Sequence, residues 1–397
     1  MSVLKVKEGI YSVGVLNPSL RVFDIIMKTE YGTTYNAYLV QGTEKTALIE
    51  TVHAKYFEEY YENILSVGGI DKIDYLIMNH TEPDHSGSIA ALLQKNPNIE
   101  IVATNAGIKY AKSIANSDFA SRVVKDGDSI DLGGKTLQFT VAPFLHWPDS
   151  MFTYLPEDKV LFSCDMFGCH YCEPRMLDLH IVEQEAYEDA LLYYYTAIFS
   201  PFKPHVLSGM DKIKDLPVDY ICTSHGPILT QHSIQVVWDK YKEWSTPRQK
   251  PNKQVAILYV SAYGFTRSLA QRAEVLAKQA GFDTVLYDII KVPQQDAAAA
   301  ANECDALMLG SPTINRDALK PVWDVISSID AINCQKKPAA VFGSYGWSGE
   351  AVGMLKDRLN ALRFQVFGEG CRINFKPSDT DMEAFETYVN GFLAQLK

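Results

Sequence analysis

From residue 254 to the end of the chain, short apolar stretches alternate strictly with segments long enough to form helices. The apolar stretches are Val255–Val260, Thr284–Asp288, Ala306–Leu309 and Ala339–Phe342, and helical periodicity runs from Arg267 to Ala280. Apolar strands that are each followed by a helix are typical of a parallel sheet buried on both faces. The sequence therefore predicts a doubly wound parallel α/β domain over residues 254–397.

The chain before residue 249 shows a different pattern. Strand-like stretches at Thr33–Val40 and Lys45–Thr51 flank a short turn, which indicates a β-hairpin, and helical patterns follow at Tyr56–Ser66 and Ser88–Lys95. Strands grouped in hairpins, with helices between them, predict helices packed outside antiparallel sheets. The polar, proline-containing stretch Ser245–Lys253 indicates a linker. We therefore expect a first domain at residues 1–248, the end of a linker at 249–253 and a second domain at 254–397.

Length, charge and cysteine content restrict the classes of protein that this chain can belong to. With 397 residues it exceeds the usual size of a single core, which favours two domains. Its net charge of −11 argues against nucleic-acid binding, because phosphate contacts need clustered lysines and arginines. No apolar run approaches the length that spans a bilayer. Lys5 and Lys7 are not followed by an apolar segment, so we do not expect a secretory signal. Seven cysteines fit free thiols in a reducing compartment, so we expect a cytoplasmic protein.

A cluster of metal-binding side chains follows the apolar strand Tyr75–Met78. The hexapeptide His80-Thr-Glu-Pro-Asp-His85 places four such side chains within six positions, and His146, Asp165 and His225 follow later in the chain. Seven groups of this kind can bind two metal ions if one carboxylate bridges them. Imidazole suits zinc, copper, iron or nickel, whereas carboxylates favour harder ions. Three carboxylates among seven ligands therefore favour a redox-active pair of iron ions over zinc.

The remaining histidines and the clustered cysteines carry weaker signals. His53, His180, His205 and His232 belong to no motif, so we interpret them as surface or packing residues. Cys164, Cys169 and Cys172 match the spacing of a plant-type iron–sulfur site. We reject that interpretation because a fourth cysteine with a supporting loop is missing and Asp165 lies inside the motif. Free buried thiols are the preferred interpretation.

A second chemical signal lies directly after the strand Val255–Val260. In Ser261-Ala-Tyr-Gly-Phe-Thr266, two hydroxyl groups flank Gly264 ahead of a helix, so that backbone amides and the helix N-terminus can enclose a phosphate. The loop lacks both the Gly-Lys-Ser/Thr of a P-loop and the Gly-x-Gly-x-x-Gly of dinucleotide sites. We therefore expect one phosphate, and hence a mononucleotide.

Two further loops follow the next strands of this domain. Gly310–Asn315 and Gly343–Glu350 lie at strand carboxyl ends, where open α/β sheets bind ligands. Together the three loops resemble those of flavodoxin, which implies a phosphate cradle and two loops around the flavin ring of FMN. The residues expected to contact FMN are Ser261, Tyr263, Gly264, Phe265, Thr266, Ser311, Pro312, Thr313, Ile314, Asn315, Ser344, Tyr345, Gly346, Trp347 and Gly349.

The histidine-rich motif and its partners resemble the metallo-β-lactamase fold. Hydrolases of that fold carry His-x-His-x-Asp-His, whereas this chain has Glu82 at the second histidine, and this replacement is similar to flavodiiron proteins (A-type flavoproteins). The resemblance implies an N-terminal metallo-β-lactamase-like αββα sandwich joined to a flavodoxin-like domain. By motif position it implies that His80, Glu82 and His146 hold one iron, that Asp84, His85 and His225 hold the other, and that Asp165 bridges them.

The same resemblance implies a function. Members of the family reduce dioxygen to water, nitric oxide to nitrous oxide, or both, with electrons that pass through FMN from an external carrier such as rubredoxin. It also implies a head-to-tail homodimer or a dimer of dimers. His170 resembles a family histidine beside the iron site that supplies protons, and Tyr194 and Tyr195 resemble a family aromatic segment near that site. Simple packing is the alternative for all three residues.

Two other classes of function remain open at this point. A zinc-dependent hydrolase fused to a flavodoxin-like module would explain the first domain, and a pure electron-transfer or redox-sensing flavoprotein would explain the second. Glu82 argues against the hydrolase, and the complete set of seven ligands argues against a protein that binds no substrate. Dioxygen and nitric oxide leave no recognition motif, so the sequence does not choose between them.

Overall fold

The computed structural model describes residues 3–247 and 251–396, and the chain divides into two compact units, Met1–Pro247 and Arg248–Lys397. The predicted linker Ser245–Lys253 spans this division, and its residues 248–250 lie outside the described residues. Ser245 ends the last helix of the first unit, and Gln254 begins the first strand of the second. None of the helices in the described residues combines the length and apolar composition that crossing a bilayer requires.

Residues 3–247 of the first unit form seventeen short strands and seven α-helices. Its helices are α1 (Phe57–Val67), α2 (Pro83–Ser86), α3 (Ile89–Lys95), α4 (Asn105–Ala115), α5 (Gln184–Tyr194), α6 (Lys203–Ile213) and α7 (Ile234–Ser245), and a π-helical turn, Tyr195–Phe199, follows α5. Its strands are β1 (Leu4–Lys7), β2 (Ile10–Ser12), β3 (Val15–Asn17), β4 (Val22–Phe23), β5 (Met27–Lys28), β6 (Thr33–Tyr35), β7 (Tyr38–Gln41), β8 (Thr46–Ile49), β9 (Tyr75–Ile77), β10 (Glu100–Ala103), β11 (Ser121–Val123), β12 (Ser129–Asp131), β13 (Thr136–Val141), β14 (Met151–Leu155), β15 (Val160–Cys164), β16 (Tyr220–Thr223) and β17 (Leu229–Thr230).

These strands form two main sheets, and both mix parallel and antiparallel neighbours. The first has the order β1-β2-β7-β8-β9-β10-β11, with β8 to β11 parallel. The second has the order β12-β13-β14-β15-β16-β17, with β15 and β16 parallel. The expectation of antiparallel sheets is therefore only partly correct. Parallel neighbours need a crossover connection, which α1, α3 and α4 provide in the first sheet.

The core of the first unit has an inner and an outer layer because successive side chains of a strand point to opposite faces. In β8, Ala47 and Ile49 pack between the sheets against residues of the second sheet such as Phe139. Leu48, which lies between them in sequence, packs on the outer side with helical residues such as Ile64. This is the helix–sheet–sheet–helix sandwich that the resemblance implied.

The predicted strand Thr33–Val40 is interrupted in the structure, where β6 and β7 belong to different sheets. Asn36 lies between them and forms hydrogen bonds with a distant segment. Its backbone N–H donates to the carbonyl of Ser224 at 2.8 Å, and its Nδ2 donates to the carbonyls of Thr223 and Gly226 at 2.9 Å each. These bonds end the strand because they replace sheet pairing, and they attach this segment to the loop after β16.

The second unit is a doubly wound parallel sheet, as predicted. The strand order is β19-β18-β20-β21-β22, all neighbours are parallel, and β23 also pairs with β21. Its strands are β18 (Gln254–Tyr259), β19 (Asp283–Asp288), β20 (Ala306–Gly310), β21 (Pro338–Tyr345), β22 (Gln365–Val366) and β23 (Cys371–Asn374), and its helices are α8 (Phe265–Gln279), α9 (Gln294–Glu303), α10 (Lys320–Ser327), α11 (Glu350–Ala361) and α12 (Asp379–Ala394).

Both faces of this sheet are covered by helices. In β18, Val255 and Ile257 pack with residues of α8 and α12, whereas Ala256 and Leu258 pack with residues of α9, α10 and α11. The strands β18, β20 and β21 are neighbours in the sheet. Because they are parallel, the three loops that follow them meet at one edge.

Candidate metal centre and flavin site

The seven predicted metal ligands meet at the ends of strands from both sheets of the first unit. His80 follows β9 of the first sheet, and α2 begins directly after Glu82 and contains Asp84 and His85. Asp165 follows β15 and His225 follows β16 in the second sheet, and His146 lies in the connection between β13 and β14. The pairing of β15 with β16 explains how residues 60 positions apart become neighbours.

One group of ligand atoms faces a single oxygen of Asp165. Nε2 of His146 lies 3.3 Å from Oδ2 of Asp165 and 3.3 Å from Oε2 of Glu82. Nε2 of His80 lies 3.2 Å from the same Glu82 oxygen and 3.8 Å from Oδ2 of Asp165. Atoms of these four residues that could ligate a metal all lie within 4.8 Å of one another.

A second group faces the other oxygen of the same carboxylate. Nε2 of His85 lies 3.2 Å, and Nε2 of His225 3.5 Å, from Oδ1 of Asp165. Asp84 completes the group, 3.4 Å from His85 and 3.0 Å from His225. Two ligands that are each about 2.1 Å from one ion are separated by roughly 3.0–3.4 Å. Both groups therefore have the spacing of a metal-coordination shell, and Asp165 lies between them as a bridge would.

Several polar atoms of this cluster are buried without a hydrogen bond in the described part of the chain. They are both carboxylate oxygens of Asp84, Oδ1 of Asp165, Nε2 of His85 and Nε2 of His170. Buried polar atoms are nearly always hydrogen-bonded, and an unmet group of this kind indicates a missing ion or a functional role. The residues present therefore fit metal ions.

The charges of the cluster point to the same conclusion. Burial raises the pKa of Asp165, but the imidazoles of His85 and His146 outweigh it and hold this pKa well below its ordinary value. Burial lowers the pKa of His85, and the carboxylates of Asp84 and Asp165 raise it to about 10. The buried carboxylates are therefore stable as anions only with positive charge beside them. Protons on the imidazoles supply it in the protein alone, and metal cations would supply it in their place.

Two of the histidines are oriented by partners that the sequence did not reveal. Nδ1 of His225 lies 2.6 Å from the carbonyl oxygen of Thr34, which can only accept, so Nδ1 carries the proton and Nε2 is free to ligate. Nδ1 of His80 lies 3.3 Å from Oδ1 of Asp149. The other oxygen of Asp149 accepts hydrogen bonds from the backbone N–H and hydroxyl of Thr81 at 2.8 and 2.6 Å.

A small cavity opens beside the cluster. Its volume is about 20 Å³, which is enough for about one water-sized molecule. His170 lines it, with Nδ1 held 2.8 Å from the hydroxyl of Thr33. Phe23, Asp24 and Tyr194 also line the cavity. Sequence reasoning missed Phe23 and Asp24, whereas Tyr194 belongs to the aromatic segment that the resemblance implied near the iron site. Phe23 and Asp24 belong to the β4–β5 hairpin, whose short strands gave no separate signal.

Tyr195 does not line the cavity, and its surroundings favour packing, the alternative given for this residue. Its hydroxyl lies 2.8 Å from Oγ of Ser245, and its ring packs against Tyr241 and Trp244. Successive helical residues point about 100° apart, so only one of two adjacent tyrosines can face the site. That residue is Tyr194, whose ring centroid lies 4.9 Å from that of His170.

The cysteines are free thiols, and one of them lies at the cluster. Cys164 and Cys169 are buried and Cys172 is half-buried. Sγ of Cys164 lies within 4.8 Å of ligand atoms of His85 and Asp165. Burial raises the pKa of this thiol well above its usual range. Cys164 therefore remains a neutral thiol beside the carboxylate.

The three predicted flavin loops of the second unit are linked by their own hydrogen bonds. Oγ of Ser261 accepts from the backbone N–H of Gly264 at 3.1 Å, and the hydroxyl of Thr266 lies 2.9 Å from that of Ser344. The backbone N–H of Thr313 donates to the carbonyl of Ser344 at 2.9 Å. The first, second and third loops thus form one connected surface at the sheet edge.

The first loop has the geometry of a phosphate cradle. Gly264 precedes α8 with a φ of +86°, and a Cβ at this position would meet no protein atom within 4 Å. Open space beside the first turn of a long helix suits an anion, because N–H groups there lack partners. The loop therefore fits the phosphate of FMN.

Large exposed apolar side chains, most of them aromatic, surround this surface. Tyr263 and Trp347 are 83% and 85% exposed, and Ile314 is also exposed. Phe375, which follows β23 and is 57% exposed, was missed in the sequence; its backbone N–H donates to the carbonyl of Tyr345 at 2.7 Å. Exposed aromatic faces at strand ends fit a planar ring system.

Comparison with known proteins agrees with both sites. Residues 33–226 match the family model described as ODP family beta lactamase, and residues 257–388 match the one described as Flavodoxin. Flavo-diiron protein FprA2 of Clostridium acetobutylicum is 51% identical, with 96% of this chain and 97% of that protein covered. The anaerobic nitric oxide reductase flavorubredoxin of Vibrio vulnificus is 34% identical over 91% of this chain and 74% of its own length.

A solved structure extends this likeness to the whole chain. Rubredoxin oxygen:oxidoreductase from Desulfovibrio gigas is 30% identical, covers 99% of this chain and 98% of its own, and has a TM-score of 0.70. Fold and sites thus define a two-domain redox protein, with a metallo-β-lactamase-type metal domain and a flavodoxin-type domain. The chain belongs to the flavodiiron protein family. It is an oxidoreductase whose cofactors are FMN and a di-iron centre, which excludes the zinc-hydrolase and pure electron-transfer alternatives.

Asp149, which orients His80, should influence the affinity of the site for iron. In Asp149→Asn, the carboxamide cannot accept hydrogen bonds from both His80 and Thr81, so the imidazole loses its orientation. We expect iron affinity to fall about 10- to 100-fold, while FMN content stays unchanged. Competition with a chelator measures the affinity. Asp118→Asn, on the exposed surface, is the matched control, and equal affinity in both variants would contradict the proposed role.

Gly264 generates a prediction about flavin binding. Valine at a φ of +86° is strained by about 1–2 kcal/mol, so Gly264→Val should distort the loop and weaken FMN binding by roughly tenfold. Gly281→Val is the matched control, because Gly281 has a φ of +91° and equally open surroundings just beyond the other end of α8. Flavin fluorescence titration compares the two. Equal loss of FMN in both variants would show that strain alone, rather than the cradle, is responsible.

Proposed function

We propose that this chain reduces dioxygen to water, nitric oxide to nitrous oxide, or both, at a di-iron centre supplied with electrons through FMN. The observation that carries this proposal is the position of Asp165, whose two oxygens face two separate sets of imidazole and carboxylate ligands. Two iron ions held there would supply two electrons at once to a diatomic molecule, and FMN would replace them from a carrier.

We assign the ligands from this geometry. His80, Glu82 and His146 would hold the iron on the Oδ2 side of Asp165, and Asp84, His85 and His225 would hold the other on its Oδ1 side. Every one of these side chains comes from a loop or a short helix at a strand end. The set therefore depends on both sheets for its position.

The surroundings of the cluster favour a very small substrate. The cavity is about 20 Å³, and its lining includes the apolar side chains of Phe23 and Ile198 and the ring of Tyr194. An ester or a peptide does not fit such a space, whereas a diatomic gas does. His170 presents Nε2, which has no hydrogen-bond partner in residues 3–247 or 251–396, to this space. We propose that His170 hydrogen-bonds to the substrate there and exchanges a proton with it, since its Nδ1 is already engaged by Thr33.

Electrons must reach the flavin from outside the described domains. The name of the Desulfovibrio gigas protein pairs it with rubredoxin, and we propose a rubredoxin or a similar small electron carrier as the donor for this chain. The three flavin loops support this proposal because their exposed side chains, Tyr263 and Trp347, leave the cofactor edge accessible. The seven cysteines, all free thiols, support a reducing location such as the cytoplasm.

We further propose that two copies of the chain pair head to tail, so that each flavin serves the metal centre of the other copy. Two exposed apolar surfaces support this arrangement. In the β4–β5 hairpin beside the metal cluster, Ile25 is 93% and Ile26 81% exposed, and Trp347 is exposed at the flavin loops. Large apolar side chains exposed at both cofactor sites fit an interface that buries them together.

Removal of the bridging carboxylate tests the function. Asp165→Ala should lose most of its iron from both positions and all gas consumption, while FMN stays bound. Asp178→Ala is the matched control, because Asp178 is equally buried but bonds to Thr230 and Ser233 outside the cluster. Metal analysis, flavin absorbance and separate consumption assays with dioxygen and nitric oxide measure the outcome. Unchanged iron content in Asp165→Ala would refute the ligand set. A wild-type protein that binds zinc and consumes neither gas would refute the function.

The proposed dimer generates a separate prediction. Replacing Ile25 and Ile26 together with Glu should place charges in the interface, so that sedimentation equilibrium shows dissociation to monomers. Iron and FMN contents should stay unchanged, while electron transfer from flavin to iron slows. Leu65→Glu, at a 48% exposed position on α1, is the control. A dimer that both variants leave intact would contradict this interface.

A further inference from the structure

A continuous group of aromatic side chains leads from the metal cluster of the first unit to its surface. We call Tyr194, Phe199, Tyr241, Tyr195 and Trp244 the aromatic path. Tyr194 contacts His170, with ring centroids 4.9 Å apart, and Phe199 lies 6.1 Å from Tyr194 and 5.8 Å from Tyr241. Tyr241 lies 5.1 Å from Tyr195 and 5.9 Å from Trp244, and Tyr195 lies 5.0 Å from Trp244.

The burial of these residues gives the path an inner and an outer end. Tyr194, Tyr195, Phe199 and Tyr241 are buried, and Trp244, in the last turn of α7, is half-buried. Tyr194 lines the cavity beside the metal ligands. The path thus connects the reacting space with a ring that solvent reaches.

The hydroxyl of Tyr241 suggests that the path does more than fill the core. This side chain is completely buried, and its oxygen forms no hydrogen bond of ordinary geometry in the described residues, although the backbone of Phe167 lies near it. Burying a hydroxyl without a well-formed hydrogen bond is unfavourable. Phenylalanine would fill the same space without that cost. What tyrosine adds is a ring that loses one electron far more easily than that of phenylalanine.

We propose that the aromatic path donates single electrons from Trp244 to the metal cluster when oxygen reduction there is incomplete and leaves a species that accepts one electron. This inference rests on the proposed oxygen reduction. Complete reduction of dioxygen needs four electrons, so a centre that receives too few from its flavin is left with a reactive, partly reduced oxygen species. An electron supplied through tyrosine and tryptophan removes it before it attacks the ligands.

The electrons and protons of this step balance. Trp244 loses one electron and then its indole proton to water; the oxidant gains one electron and takes up one proton at the cavity. Tyr241 and Tyr194 pass the electron inward and return to their initial state. Lys240, 6.0 Å from the centre of the Trp244 ring, does not oppose the oxidation strongly, because Glu188 accepts its hydrogen bond at 2.8 Å. An added reductant restores Trp244. Without a reductant the indole radical combines with dioxygen and forms a covalent oxidation product of Trp244.

The test uses the iron-loaded, flavin-containing protein supplied with fewer electrons than complete oxygen reduction requires. After exposure to dioxygen, rapid-freeze electron paramagnetic resonance should detect a tryptophan radical, and peptide mapping should find Trp244 oxidised several-fold more than Trp323. Trp323, which lies in the second unit and is half-buried like Trp244, reports oxidants that diffuse through solvent. The iron-free protein, treated in the same way, should show neither the radical nor selective oxidation of Trp244.

Conservative variants test the path itself. Trp244→Phe should abolish the tryptophan radical, and Tyr241→Phe, which removes only the hydroxyl, should reduce oxidation of Trp244 several-fold. In both variants oxidation should shift to Tyr194 and His170, while oxygen consumption with excess reductant stays unchanged. Trp323→Phe, in the second unit, is the matched control.

The outcomes separate this inference from the proposed function. Oxygen consumption with equal oxidation of Trp244 and Trp323, or with Trp244 oxidation unaffected by Tyr241→Phe, would overturn the path and leave the function intact. A wild-type protein that binds iron and consumes nitric oxide but no dioxygen would overturn the path alone, and one that consumes neither gas would overturn both.

Discussion

The structure of the first unit depends on one constraint, which is the burial of three carboxylates and four imidazoles around a space of a few atoms. Each carboxylate alone would be unstable there, because burial opposes its charge. Together the groups are tolerated, since each oxygen of Asp165 faces two of the four imidazoles, and Asp84 faces the pair on the Oδ1 side. Thr34 and Asp149 orient two of the imidazoles through Nδ1, the ring nitrogen that does not face the other ligands. The fold holds these groups in place, and a pair of metal ions would satisfy them.

The second unit binds a planar cofactor, and loops at one edge of its sheet are sufficient for this. A planar cofactor with one phosphate needs a helix start, a turn that opens toward it and two flat surfaces. Adjacent parallel strands supply all of these at one edge, so the flavin loops are short and follow one another in regular order. The metal cluster could not be built in this way, because its ligands surround their ions from both sheets. Redox chemistry in this chain thus divides between a site that is buried and one that is open.

The regular parts of both units could be predicted from the sequence. The helices over 57–67 and 89–95 and the strands of the second unit agree with their apolar periodicity, because burial alone decides which face of such elements is apolar. Asn36 shows where this reasoning fails: its long-range hydrogen bonds end a strand that local pattern continues. The parallel strands of the first sheet were missed for a related reason, since a helix between two strands was not interpreted as a crossover.

By itself, the sequence determined the chemistry of this protein. Ligand types at strand ends, a glycine-containing loop before a helix and the order of the two domains are local features, and a local pattern is sufficient to recognise them. Only the tertiary structure decided which groups meet. It placed Tyr194 rather than Tyr195 at the cavity, brought Asp24 and Phe23 to its wall, and divided the ligands between the two oxygens of Asp165. The reason is physical: adjacent helical residues face different directions, and distances between side chains from separate strands follow from packing, which no single segment of the sequence contains.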